Sequence, residues 1–274
     1  NETKAHAVAA SLPLNVAGVR LDLSDLGDVE AFADEISRGV ASGAVPRIRA
    51  LFCNAGIQAA PGGIEVTRDG FEATIAVNHL AHMRLTLRLL PHLCDHARLI
   101  VVSSGTHDPT TMEGRFNKPV MRSAAELADP NHPATAKSSS IVRYATSKLC
   151  NLLFAYELAR RADNLAPGKR IDVLTYDPGG VPGSDLLREM NALARRVLTA
   201  SWLMRLLGVT IRTPSEAGGY LAALLEREVG DKPSYWQGPT RSSSSAASLD
   251  AVAARTLWDE SEALLERHIG AIRT

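Results

Sequence analysis

Net charge is the first thing this sequence does without. Its 274 residues carry 30 Lys+Arg against 30 Asp+Glu, so neither a polyanion nor an anionic membrane gains a bulk attraction, and no nucleic-acid partner is expected. Cysteine is scarce: Cys53, Cys94 and Cys150 are an odd number without metal-ligand spacing. Two of them lie in apolar runs and read as small core residues in a reducing, cytoplasmic setting. No signal peptide is read at the start. The most apolar late stretch, "LTASWLMRLLGVTI", is broken by Arg205 and is too short for a bilayer span, so no transmembrane segment is expected. His92 and His96 have the i,i+4 spacing of a metal pair but no third ligand and no H-E-x-x-H pattern. A solvated helix end is the expectation there, with no metal site. A serine hydrolase is excluded cheaply, because no G-x-S-x-G elbow surrounds Ser104 or any other serine.

What is present is alternation. "VAGVRLDL" (Val16–Leu23) reads as a short apolar strand, and "SDLGDVEAFADEISRGV" after it as a capped helix. "IRALFCNAG" reads as a second strand, residues 67–93 as a long helix, "ARLIVVSS" as a third strand, and "RIDVLTYDPGG" as a fourth after a further long helix. "LDAVAARTLWDESEALLERHI" closes the chain as a helix, and "RSSSSAAS" (Arg241–Ser248) is expected to be a flexible surface loop. Near-continuous apolar strands alternating with helices predict an α/β fold: a doubly wound, mostly parallel sheet in a three-layer arrangement. Such sheets bind ligands beyond the carboxyl ends of their strands. Four strand ends carry polar or Gly-rich residues: Asp22, Asn54-Ala55-Gly56, Ser103-Ser104 and Asp177-Pro178-Gly179-Gly180. Each has an ordinary reading as a cap or turn former; together they predict one crevice.

The helix "RYATSKLCNLLFAYELARRA" sets Tyr144 four residues before Lys148, on one face. By itself that pair is more often a packed tyrosine beside a snorkelling lysine. In a shared crevice, an ammonium close to the phenol would lower its pKa and make a general acid/base. Two segments stand outside the repeat. Residues 105–139 are a polar excursion too long for an ordinary connection, and residues 183–208 have an amphipathic helical pattern. The second is read as a substrate lid lining an apolar pocket, with a packed surface helix and a membrane-surface helix as open alternatives.

In its ordered motifs the chain resembles the short-chain dehydrogenase/reductase family: "NAG" at 54–56, "VNHLAH" at 77–82, "VVSS" at 101–104, "YATSK" at 144–148 and "DPGG" at 177–180. The flavour is that of its retinol-dehydrogenase-like and protochlorophyllide-reductase-like members. The resemblance runs over nearly the whole chain and implies a single Rossmann-like domain over residues 1–274. It also implies an oxidoreductase that moves hydride between a nicotinamide cofactor and a small, hydrophobic carbonyl/alcohol substrate; homo-oligomer formation stays open. NADP is the better expectation over NAD, from the subgroup alone. By this likeness Tyr144 exchanges the substrate proton, while Lys148 depresses its pKa and holds the ribose hydroxyls. Ser104, rather than Ser103, polarises the carbonyl, and Asn78 keeps a water in the relay. Asp22 contacts adenine, and Asn54, Ala55 and Gly56 support the adenosine half. Pro178, Gly179 and Val181 match the nicotinamide loop, with Ser184 in a hydroxyl position usually held by threonine.

The sequence departs from the family at one telling place. The strand, T-G-x-x-x-G-I-G turn and helix that should precede Asp22 are not there, and "PGGVPG" has the wrong spacing to replace them. That turn supplies backbone N–H groups and a helix N-terminus to the pyrophosphate. The chain is therefore expected to be part of a longer enzyme that lacks its first βαβ portion, and to bind cofactor poorly by itself. The competing expectation is a non-catalytic binding or scaffold protein that kept the sheet without the dinucleotide turn.

Overall fold

The computed structural model describes residues 2–12, 16–181, 210–230 and 233–272. The β-strands are β1 (Ile48–Cys53), β2 (Leu93–Val102), β3 (Ile171–Asp177), β4 (Ser234–Gln237) and β5 (Thr240–Ser242), paired in that order in one sheet. The first four run parallel and β5 closes the far edge antiparallel. Cys53 pairs with Val101, Val102 with Tyr176, and Asp177 with Gln237, so the carboxyl ends of the parallel strands line up.

The period-2 alternation of a strand sorts its side chains onto two faces. Leu99, Val101 and Val173 join one buried cluster with Leu80, Met83, Leu152, Leu153 and Trp258. Ile100, Val102, Leu174 and Tyr176 join a second with Leu224 and Trp236. Along the chain the helices are α1 (Glu2–Ser11), α2 (Leu26–Ser42), α3 (Ala73–Ile75), α4 (Ala81–Leu89), α5 (Ala124–Ala128), α6 (Pro133–Lys137), α7 (Ser140–Leu165), α8 (Pro214–Ala223) and α9 (Ala251–Ile272). The first cluster is roofed by α2, α4, α7 and α9, whereas Tyr220 and Leu221 of α8 cover the second. Helices on both faces of a mostly parallel sheet make the α/β layering the sequence implied.

Local chemistry sets the helix ends. The Asp25 carboxylate accepts from the N–H groups of Gly27 and Asp28 at the start of α2, and Gly43, at φ 78°, ends it in the left-handed region that glycine enters without strain. The first turn of α7 is tied down by Arg143. Its Nε donates to Glu72 Oε1 at 3.0 Å and its Nη2 to the Gly63 carbonyl at 2.7 Å, while Glu72 Oε2 accepts from Ile75 N at 2.8 Å. Arg143 is 6% and Glu72 0% exposed. Arg143→Ala is therefore expected to cost about 3–5 kcal/mol in denaturant unfolding, because it leaves a buried carboxylate without its cation.

Several expectations are corrected. Residues 16–22 form no strand: a strand exists only by pairing, no neighbour pairs with this segment among the described residues, and Val16 and Val19 are exposed. The helix read over 67–93 spans 73–89, and residues 76–80 form a π turn within it. His92 lies in a 3₁₀ turn and His96 sits at φ 56° within β2, so they share no helix face. Among the described residues no group of three His, Cys, Asp or Glu is placed to hold a metal. The serine tract is not a flexible loop. Thr240–Ser242 pair as β5, Ser245 and Ser248 are buried, and Ser244 Oγ meets Tyr156 Oη of α7 at 2.8 Å. The 105–139 excursion is anchored too, since Ala124 N donates to Glu260 Oε2 of α9 at 2.8 Å. The lid expected over 183–208 lies outside the described residues. No helix among the described residues is long and apolar enough to cross a membrane.

Candidate active site

Beyond the carboxyl ends of β1, β2 and β3, the strand ends, the π turn and α7 bring most of the expected groups together. Ser103 and Ser104 follow β2, and alternation separates them. Ser103 is buried and its hydroxyl donates to the Lys148 carbonyl at 2.9 Å. Ser104 is half-buried and extended at φ −160°; its hydroxyl accepts a long bond from Thr106 N at 3.4 Å and meets the Tyr144 side chain. Of the two serines, Ser104 is the one whose hydroxyl meets the phenol.

Tyr144 and Lys148 occupy successive turns of α7, 7% and 3% exposed, with Nζ 5.5 Å from the centre of the phenol ring. Nζ donates to the Val102 carbonyl at 3.2 Å, which also accepts from Asn151 Nδ2 at 3.1 Å. Burial lowers the Lys148 pKa to about 8, against the pull of the Asp177 carboxylate. The sequence led us to expect a lowered phenol; the opposite holds. Burial raises the Tyr144 pKa, the Ser104 side chain opposes the shift, and Asp177 adds to it. Desolvation sets the direction because the phenolate would stand in a dry site with a carboxylate near by. As the site stands, Tyr144 is an acid that keeps its proton.

Asp177 was legible only as a strand-end residue, yet it organises this corner. Its Oδ1 accepts from Gly179 N at 2.8 Å, and its Oδ2 from Tyr235 Oη at 3.1 Å and Gln237 Nε2 at 3.3 Å. Gly179 takes φ 72°, the left-handed conformation this tight turn needs. The Pro178 carbonyl accepts from Arg212 Nη1 at 2.9 Å, Gly180 bridges to Ile211, and Val181 is half-buried beside them. Ser184 lies outside the described residues.

Asn78 sits in the π turn, a device that recurs at functional sites. Its Oδ1 accepts from Ile57 N at 2.7 Å, and its Nδ2 donates to the Ile57 carbonyl and Ser147 Oγ, both at 2.9 Å. Both side-chain N–H groups are therefore occupied in clamping the turn after β1. His82 helps, with Nε2 2.9 Å from the Ala55 carbonyl and a pKa pushed down to about 4 by burial. Sequence reasoning missed this histidine, although it closes the "VNHLAH" motif. Asn54 and Ala55 are exposed along the turn. At Gly56 a Cβ would stand 3.2 Å from Lys148 Nζ and 3.3 Å from Asn78 Oδ1, so the missing side chain leaves a cradle beside the ammonium. Asp22 bonds locally and not to these groups. It is exposed, its Oδ1 accepts from Ser24 N and Oγ, and these bonds lower its pKa. A 900 Å³ groove lined by Lys169, Arg170 and Val173 lies at the opposite end of β3 and touches none of these groups.

Residues 1–113 match the family described as short chain dehydrogenase. The short-chain dehydrogenase iccH of Talaromyces variabilis is 30% identical, aligned over 88% of this chain and 77% of that protein. The chain belongs to the short-chain dehydrogenase family. Within this oxidoreductase family it is also similar to retinol dehydrogenase 14 of Mus musculus, 32% identical over 89% of this chain and 66% of that protein. The WW domain-containing oxidoreductase of Homo sapiens is 32% identical over 93% of this chain, which spans 57% of that protein. Among solved structures, an uncharacterized protein from Mycobacterium paratuberculosis, 30% identical, superposes with a TM-score of 0.63 over 97% of this chain and 81% of that one. NADPH-bound carbonyl reductase from chicken fatty liver, 18% identical, has a TM-score of 0.54 over 86% of this chain and 79% of its own; it shares the short-chain dehydrogenase fold.

Proposed function

We propose that the protein is an NAD(P)-dependent dehydrogenase/reductase of carbonyl/alcohol pairs, with NADP the preferred cofactor from its subgroup. One observation carries the reading: a buried, protonated phenol with an ammonium at its ring and a serine hydroxyl hydrogen-bonded to it, at the carboxyl ends of a parallel sheet. The residues fit a nicotinamide dinucleotide. Gly56 leaves a cradle next to Lys148 and Asn78, and Gly179 makes the tight turn after β3. Asn54, Ala55, Gly56, Lys148, Pro178, Gly179, Val181 and Ser184 would hold it, with Asp22 toward the adenine. When bound, the nicotinamide supplies or accepts hydride at the substrate carbon.

The chain's own residues handle the oxygen. In the reducing direction the Ser104 hydroxyl donates to the carbonyl as negative charge grows there, and Tyr144 delivers the proton. Burial keeps Tyr144 protonated until that charge develops, so transfer goes to the growing alkoxide rather than to water. Lys148 supplies positive charge at the ring and would hydrogen-bond the ribose hydroxyls. Asn78 holds the π turn and the 54–57 turn in register with Ser147 of α7. Residues 105–139 form the substrate-facing wall of a single domain. Protein expressed from its complete reading frame, mixed with NADPH or NADH and a panel of hydrophobic aldehydes and ketones, is expected to consume the nicotinamide absorbance only when a carbonyl is present. Failure to bind either nucleotide by calorimetry would replace this reading with that of a scaffold protein.

A further inference from the structure

His107 is a buried, ionisable side chain that the proposed chemistry does not use. It ends the 3₁₀ turn Gly105–His107 that begins directly after Ser104 and is 1% exposed. Its Nδ1 lies 2.6 Å from the Ser104 carbonyl oxygen, and its Nε2 lies 3.1 Å from the Ser245 backbone nitrogen. A carbonyl can only accept and a peptide N–H can only donate. The ring is therefore neutral and carries its proton on Nδ1, with no freedom to exchange tautomers. Burial favours the neutral form, while Asp108 and Asp177 pull the other way.

The partners on the far side are anchored. Ser245 Oγ accepts from Ser248 N at 3.3 Å, Ser248 Oγ donates to Ser244 Oγ at 2.7 Å, and Ser244 meets Tyr156 on α7, the helix that carries Tyr144 and Lys148. The His107 ring also packs edge-on against Tyr235 at 5.4 Å, and Tyr235 donates to Asp177. One imidazole thus fastens the Ser104 peptide to Ser245, 138 residues beyond His107, and that serine tract is fastened to the catalytic helix.

We propose that His107, locked in its Nδ1–H tautomer by the Ser245 amide, is the positioning residue that aims the Ser104 hydroxyl at the oxygen shared with Tyr144. This rests on Ser104 acting on the substrate oxygen, as read above. Asparagine at 107 places an N–H donor where Nδ1 stands, whereas glutamine can still accept from Ser245 but offers no donor at that position. In protein from the complete reading frame, His107→Gln is expected to lower kcat about tenfold to hundredfold, with substrate KM within about twofold. His107→Asn is expected to restore most of the loss. In a Ser104→Ala background, His107→Gln should cost nothing further. Long-range ¹⁵N–¹H spectra of the unsubstituted protein should show a protonated Nδ1 and a bare Nε2 at His107, which needs no variant to fold. A bare Nδ1, or an equal loss from His107→Gln with and without Ser104, would overturn the positioning role. Full activity of Ser104→Ala would instead remove the reading of Ser104 on which it rests.

Discussion

Lys148→Met is expected to yield a protein that is more stable than the parent and nearly inert. The ammonium is 3% exposed, with one carbonyl partner at 3.2 Å and a ring face, and burial holds its pKa at about 8 against a usual 10.5. Because the folded value lies below the unfolded one, the unfolded chain binds more protons between those two pH values. Wild-type stability should therefore rise as pH climbs from about 8 toward 10.5, and the full penalty is present below pH 8. Methionine fills the same space without a charge, so unfolding at pH 7 should gain about 1–3 kcal/mol, a gain that shrinks at alkaline pH. The buried Asp177 is not stranded by the change, because Gly179, Tyr235 and Gln237 still donate to it. Activity should move the other way. Removing a preorganised charge from a dry site costs roughly 10²–10³-fold in turnover. Denaturant curves at two pH values, together with nicotinamide absorbance, separate the two effects. A site whose lysine only packed would show the stability gain without the loss.

Tyr144→Phe removes one atom and is expected to cost more than any other single change here. The ring is buried and keeps its packing, so folding should be little affected. The hydroxyl is the group kept protonated by burial and by Asp177, and its loss leaves the developing alkoxide without a proton donor. Turnover should fall roughly 10²–10⁴-fold, with substrate KM changed only a few-fold. Unchanged carbonyl reduction by the phenylalanine variant would take Tyr144 out of the chemistry.

Much of this architecture could be read from spacing. The strands β1, β2 and β3 showed as apolar runs because both sheet faces are covered, whereas the preference for Ser104 over Ser103 came from the family likeness and not from spacing. The i,i+4 relation of Tyr144 and Lys148 held because it depends only on helix geometry. What escaped the sequence depends on partners far along the chain. The Val16–Leu23 run has the composition of a strand, but no neighbour pairs with it among the described residues. The strands β4 and β5 are four and three residues long, too short to leave a periodic signal, and they carry the Tyr235 and Gln237 that dress Asp177. The direction of the Tyr144 shift was misread for the same reason. Spacing reveals the ammonium four residues away, whereas desolvation and a carboxylate from β3 appear only once the sheet is assembled. Position 107 gave no local hint of its link to Ser245.

A double-mutant cycle on Ser104 and Tyr144 tests most directly whether both hydroxyls serve one reacting oxygen. Carbonyl reduction would be measured for the parent, Ser104→Ala, Tyr144→Phe and the pair, all from the complete reading frame. Groups that act as a unit are strongly non-additive, so the paired variant should be scarcely slower than Tyr144→Phe alone. Losses that simply multiply would mean that the serine and the phenol act independently, and that no common oxygen lies between them.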